Sequence, residues 1–153
     1  MKIYEPSRRS YRKKIAKSKG CKFCDFAKIK NQICESLSGK NWQVIVNLYP
    51  YMDGNLMIIS KRHVEDINGM NDLERTEFFE VLEKTKKKLS KIFETDDFNI
   101  GLNIGKKAGA SIKHLHWQVI PRREKILNAS NVFGDLYVIT VSPRELKKMI
   151  DKK

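Results

Sequence analysis

Two of the three histidines stand two residues apart, in Ser111-Ile-Lys-His114-Leu-His116-Trp-Gln118-Val-Ile-Pro-Arg122. Read as a strand, this segment places His114, His116 and Gln118 on one face. Leu115, Trp117 and Val119 fall on the other, where they can pack in a core. An imidazole is largely uncharged near neutral pH and can act as nucleophile or metal ligand, while a carboxamide exchanges hydrogen bonds without titrating. The spacing alone leaves open a surface pair or a plain pair of metal ligands. Just upstream lies Asn103-x-Gly105-x-x-x-Gly109-Ala110-Ser111. Its glycines allow close approach of the backbone to a ligand, Ser111 offers a hydroxyl, and exposed N–H groups in such a loop can cradle phosphate. It is not a Walker loop, because no Gly-Lys-Ser/Thr closes it. A second group of chemical interest is Cys21-Lys-Phe-Cys24. By itself C-x-x-C supports either zinc binding or thiol redox chemistry. The remaining cysteine, Cys34, reads as a small core residue.

These residues need elements to hold them. Ile33–Ser36 and Trp42–Leu48 read as strands across the turn signal Ser38-Gly39-Lys40-Asn41, and Leu56–Ser60 follows a second turn, Met52-Asp53-Gly54-Asn55. Asn71-x-x-Glu74 forms a capping box for one long helix, in which Phe78, Leu82, Leu89 and Phe93 recur at helical spacing to about Glu94. Phe98–Ile104, Ile112–Arg122 and Leu136–Val141 read as further strands, and Pro143–Ile150 as a closing helix with proline near its first turn. Neighbouring strands with one long helix after the third predict an α+β domain on an antiparallel sheet of about five strands.

Length and charge set the outer bounds. With 153 residues, 41% of them apolar, the chain suits one domain with a real core. It contains no run of about 18 apolar residues that would span a membrane. A basic N-terminus without an apolar stretch is not a secretory signal, so the expected location is cytoplasmic. The net charge is +13. Lys2, Arg8, Arg9, Arg12, Lys13, Lys14, Lys17, Lys19 and Lys22 stand against Glu5 alone at the start. Residues 1–20 thus read as a basic arm, whose Ser10–Ser18 part could form a short helix, and 21–153 as the single domain. Such a balance favours polyanionic partners, nucleotides or nucleic acids among them, although a solvated lysine-rich surface gives the same composition.

Taken together, the motifs resemble the histidine-triad (HIT) superfamily of nucleotide hydrolases and transferases. Its signature alternates histidines with apolar residues, and here it reads His114-Leu-His116-Trp-Gln118-Val-Ile. The likeness extends from Cys-Lys-Phe-Cys through Asn47-Leu-Tyr-Pro-Tyr-Met-Asp-Gly54-Asn-Leu-Met-Ile-Ile-Ser-Lys-Arg-His63 to Asn103-x-Gly105-x-x-x-Gly109-x-Ser111. Asn-Leu-Tyr-Pro-Tyr and the stretch Ala-Gly-Ala-Ser-Ile to His-Leu-His-Trp are most similar to diadenosine tetraphosphate phosphorylases. The resemblance implies a HIT-like fold, a homodimer with a shared sheet, and nucleotidyl transfer through a covalent intermediate on His116. It implies that Asn47 meets the ribose, and that Asn103, Ser111 and the N–H groups of Gly109, Ala110 and Ser111 hold phosphate. It further implies a structural zinc on Cys21, Cys24, His63 and His114.

Two positions depart from the superfamily pattern. Gln118 stands where most relatives have a third histidine, and Ala110 where many hydrolases have a glutamine. A carboxamide cannot shuttle protons near neutral pH, so Gln118 suits a leaving group that needs no protonation and an acceptor that needs no deprotonation. Inorganic phosphate meets the second condition where water does so poorly. The expected function is therefore phosphorolysis of dinucleoside polyphosphates, diadenosine tetraphosphate above all. One alternative is a hydrolase of dinucleoside polyphosphates or nucleoside phosphoramidates. The other is a nucleic-acid-binding adenylyl hydrolase resembling aprataxin, disfavoured because only the short basic arm precedes the HIT-like region.

Overall fold

β-Branched and apolar residues dominate the two segments that flank the turn at Gly54, and both are strands. In the computed structural model, which describes residues 20–123 and 141–152, β1 spans Trp42–Val46 and β2 Leu56–Ser60. With β3 (Phe98–Gly101) and β4 (His116–Pro121) they form one antiparallel sheet in the order β1-β2-β4-β3. Strand β4 is thus paired on both sides. Ile59 and Met57 of β2 lie opposite His116 and Gln118, and Gly101 of β3 also lies opposite Gln118. The β1–β2 turn needs glycine at position 54: its φ is +76°, and a Cβ there would run into the rings of Pro121 and Phe93.

Three α-helices, α1 (Phe26–Ile29), α2 (Asp72–Phe93) and α3 (Pro143–Asp151), lie among the described residues, beside three short 3-10 turns. The capping box of α2 forms as its sequence predicts. Asn71 Oδ1 accepts from the Glu74 amide at 2.9 Å, and the Glu74 carboxylate accepts from the Asn71 amide at 2.8 Å. The helix stops at Glu94, whose φ of 51° is left-handed. Ser142 and Glu145 make a second capping box ahead of Pro143 on α3.

The sheet buries both faces, each in its own way. Val44, Ile58 and Val119 point toward Phe78, Val81 and Leu89 of α2 and Leu146 and Ile150 of α3, with Leu115 in the same cluster. Ile45, Met57 and Ile59 point the other way, against Phe23, Ile29, Ile33 and Ile112. Period-two alternation puts His116 and Gln118 on this second face, beneath the segment that contains Phe23.

The sheet has four strands among the described residues, where about five are expected. Ile33 makes a single bridge to Ile45, and then the chain curls, with the Leu37 and Ser38 amides both bonded to the Cys34 carbonyl. The strand expected over Ile112–Arg122 begins only at His116. Before it the His114 amide turns back to Ile112 O, and the Leu115 amide is bonded to Val64 O outside the sheet. β3 ends at Gly101, short of Ile104, and β1 at Val46, short of Leu48. The expected basic helix at Ser10–Ser18 lies outside the described residues, as does all of Leu136–Val141 except its last residue. Among the described residues, no helix is long and apolar enough to cross a membrane.

Candidate active site

His116 begins β4 and is 9% exposed, in a cleft on the second face of the sheet. Its Nδ1 lies 2.6 Å from the backbone oxygen of His114. A carbonyl can only accept, so Nδ1 carries the proton and Nε2 is left with the lone pair. The irregular backbone before β4 makes this contact possible, because it turns the His114 carbonyl toward the ring two residues on. Burial lowers the His116 pKa below its ordinary value, and the bond to the His114 carbonyl only partly opposes that. The imidazole therefore stays uncharged through neutral pH. Phe23 meets the ring edge-on, with centroids 5.3 Å apart.

Around His116 the cleft is lined by Asn47, Asn103, Gly109, Ser111 and Gln118, all singled out from the sequence. Ala110 does not line it. The loop also differs from the expected cradle of three amides. Gly109 N–H is bonded to Lys106 O at 3.1 Å and Ala110 N–H to Gly105 O at 3.2 Å, closing the short 3-10 turn Lys106–Ala108. Of the three, the Ser111 amide alone has no such backbone bond among the described residues. Gly109 has φ +95°, and a Cβ there would press on Asn103 Nδ2 at 3.3 Å.

His114 turns away from the cleft. Its Nε2 donates to Ser60 O at 2.6 Å, which leaves the Nδ1 lone pair facing the cysteines. Cys21 Sγ lies 3.3 Å and Cys24 Sγ 3.5 Å from that Nδ1, and Cys24 Sγ lies 3.3 Å from His63 Nδ1. The four ligand atoms all lie within 4.8 Å of one another, so the cluster could hold a metal ion. Desolvation first, and then its neighbour Cys21, raise the Cys24 thiol, whereas a redox nucleophile needs a lowered one. Cys34 is fully buried outside this group, and burial pushes its thiol up to about 12.

The arrangement is a buried neutral imidazole in a polar cleft beside a separate Cys/His cluster. Against known proteins, the HIT domain family model matches residues 37–125, more than half of the chain. The chain belongs to the HIT domain family. Among curated HIT relatives, the AP-4-A phosphorylase of Mycobacterium tuberculosis is 33% identical over 113 residues, which are 73% of this chain and 58% of that protein. An asymmetrical bis(5'-nucleosyl)-tetraphosphatase of Schizosaccharomyces pombe is 32% identical over 79 residues, 52% of this chain and 43% of that one. The chain thus spans less than two thirds of the length of either. A Zn-bound histidine triad family protein from Mycobacterium smegmatis shares the fold with a TM-score of 0.61, at 18% identity over 92% of this chain and 88% of that one.

Several residues of the cleft were not singled out by the sequence motifs. Phe23, Tyr49, Tyr51, Met57 and Ile112 all line the cleft. Phe23 could have been found, since it lies inside the C-x-x-C motif and is fixed by whatever fixes the cysteines. Asn55 belongs to a turn signal in the sequence, yet it is wholly buried and bonded to Asn47, Tyr51 and Gln118.

Proposed function

We propose that the protein cleaves dinucleoside polyphosphates, such as diadenosine tetraphosphate, by nucleotidyl transfer through His116 to inorganic phosphate. The observation that carries this reading is the tie between His116 Nδ1 and the His114 carbonyl, which commits Nε2 to a cleft lined by Asn47, Asn103, Ser111 and Gln118. In the first step Nε2 attacks the α-phosphorus. The P–O bond to the rest of the polyphosphate breaks, and ATP leaves. In the second, a phosphate oxygen attacks the same phosphorus, the P–N bond breaks, ADP forms and His116 returns uncharged. Ser111, Asn103 and the Ser111 amide hold the phosphoryl oxygens as charge develops. Asn47 Oδ1 already accepts from the Tyr49 amide at 2.9 Å, and its second lone pair is the group for a ribose hydroxyl.

The name of the mycobacterial relative supports phosphorolysis, and that of the fission-yeast relative supports hydrolysis as the second reading. Gln118 favours the first, for the proton-transfer reason given above. The test is product analysis on diadenosine tetraphosphate with and without phosphate. Phosphorolysis predicts ADP plus ATP and dependence on phosphate; AMP plus ATP at an unchanged rate without phosphate would establish hydrolysis instead.

Zinc is the metal the cluster suits. Tetrahedral zinc with Zn–S of ~2.3 Å and Zn–N of ~2.0 Å implies S···N edges of about 3.5 Å. Three of the four S···N separations here are 3.3, 3.3 and 3.5 Å, and all four ligand atoms lie within 4.8 Å of one another. Cys₂His₂ closes the coordination shell, so the role is structural: Cys21, Cys24, His63 and His114 would pin the segment carrying Phe23 to the sheet. Reduced cysteine ligands accord with a cytoplasmic setting. The homodimer would add a second copy along β3, an edge of the sheet among the described residues, where Ile100 is 37% exposed. A mainly nucleic-acid-binding role is not favoured.

A further inference from the structure

We propose that Asn55 is a positioning residue that locks the Gln118 carboxamide with its oxygen turned inward, so that Gln118 meets the substrate phosphate as a hydrogen-bond donor only. The inference rests on the proposed function for the identity of the substrate, but its geometry does not.

The two ends of a carboxamide have nearly the same shape, so its orientation is set by its partners. For Asn55 both ends are fixed by groups that cannot change role. The Tyr51 amide can only donate, and it lies 3.1 Å from Asn55 Oδ1; the Leu56 carbonyl can only accept, and it lies 3.0 Å from Asn55 Nδ2. Nδ2 has a second hydrogen, and at 2.9 Å it meets the side chain of Gln118. The Gln118 atom there must therefore be Oε1. Asn47 repeats the logic. The Tyr49 amide fixes its Oδ1, so its Nδ2 donates to Asn55 Oδ1 at 2.9 Å and, at 3.4 Å, to the same Gln118 oxygen.

Gln118 Oε1 is thus held by two donors that descend from backbone groups. Its Nε2 makes no hydrogen bond among the described residues, and Gln118 lines the cleft beside His116. What faces the ligand is an N–H₂ group. Such a group stabilises an anionic phosphoryl oxygen, whereas the reversed carboxamide would set an oxygen lone pair against it. Asn55 is 0% exposed and does not line the cleft, so it reaches a ligand through two neighbours that do: Asn47, proposed for the ribose that AMP and adenosine share, and Gln118, which faces the phosphate.

A double-mutant cycle of Asn55→Ser and Gln118→Met tests this. Serine is too short to reach Gln118, and methionine keeps its bulk without the carboxamide. The readouts are kcat on diadenosine tetraphosphate and the ratio of AMP to adenosine affinity, since adenosine lacks the phosphate. Losing one hydrogen bond to a charged group predicts about a tenfold or larger fall in both for Asn55→Ser in the parent. In the Gln118→Met background the same substitution should change the affinity ratio by less than about twofold, because the residue through which it acts on the phosphate is gone while the Asn47 contact to the ribose is common to both ligands. Equal losses in both backgrounds, or AMP and adenosine weakening together, would overturn the proposal. If Asn55→Ser does not fold, Asn55→Asp takes its place and is judged by the same cycle. It keeps the acceptor for the Tyr51 amide while removing the donor. A parent that does not turn over diadenosine tetraphosphate would sink the proposed function alone, and the affinity ratio would still decide the role of Asn55.

Discussion

His116 has one nitrogen tied to its own chain, so replacing it removes the proposed nucleophile and a single hydrogen bond. His116→Ala should fold and still bind nucleotide through Asn47, Asn103 and Ser111. Turnover should fall by at least about 10³-fold, equivalent to ~4 kcal/mol in barrier. Circular dichroism, AMP titration and a steady-state assay check the three parts, and turnover within tenfold of the parent would refute the assignment. His116 and Gln118 were legible because alternation along one strand needs no partner to be read. His114 was harder. Its irregular backbone turns its ring to the cysteines and its carbonyl to His116, and no periodicity encodes that. Asn55 was illegible, because its role depends on β2 lying in register beside β4.

At the level of elements, the start of α2 holds the segment that supplies His63. Glu74 is 2% exposed and takes two bonds from Arg62, at 2.9 and 2.7 Å, while also capping Asn71. The Arg62 guanidinium holds its carboxyl below the ordinary 4.5, against the opposing effect of burial. The native carboxylate then binds a proton less readily than the unfolded one. The stability it contributes is complete above about pH 4.5 and is lost as pH falls through the lower native value. Glu74→Gln should cost about 2 kcal/mol at neutral pH. The gap in thermal midpoint between parent and variant should shrink between pH 5 and pH 3; a constant gap would show that the carboxylate charge is not what matters. This helix was legible down to its capping box because its start signal and its apolar spacing agree. The short strands were not, since their ends at Gly101 and His116 are set by tertiary hydrogen bonds such as that from the Leu115 amide to Val64 O.

On the scale of the whole molecule, the Cys/His cluster joins the chain before the sheet, after β2 and before β4. Protein purified without chelator should carry about one zinc per chain by elemental analysis. Cys24→Ser should then lose the metal and about 2–3 kcal/mol of stability, a fall in Tm of ~5–10 °C. A full complement of zinc in Cys21→Ser/Cys24→Ser would place the metal elsewhere. That such distant residues meet was legible from the resemblance to relatives and not from spacing, because the separations along the chain carry no geometric signal. The strand order has a temporal consequence as well. Val46 pairs with Leu56 across a short turn, but Leu56 also pairs with Val119, on the far side of α2 in sequence. As the chain emerges from the ribosome, the β1–β2 hairpin can close early, while β4 must wait for its own synthesis and then insert beside β2. His116 meets its loop and its covering Phe23 only in that late event, so the proposed nucleophile is assembled last.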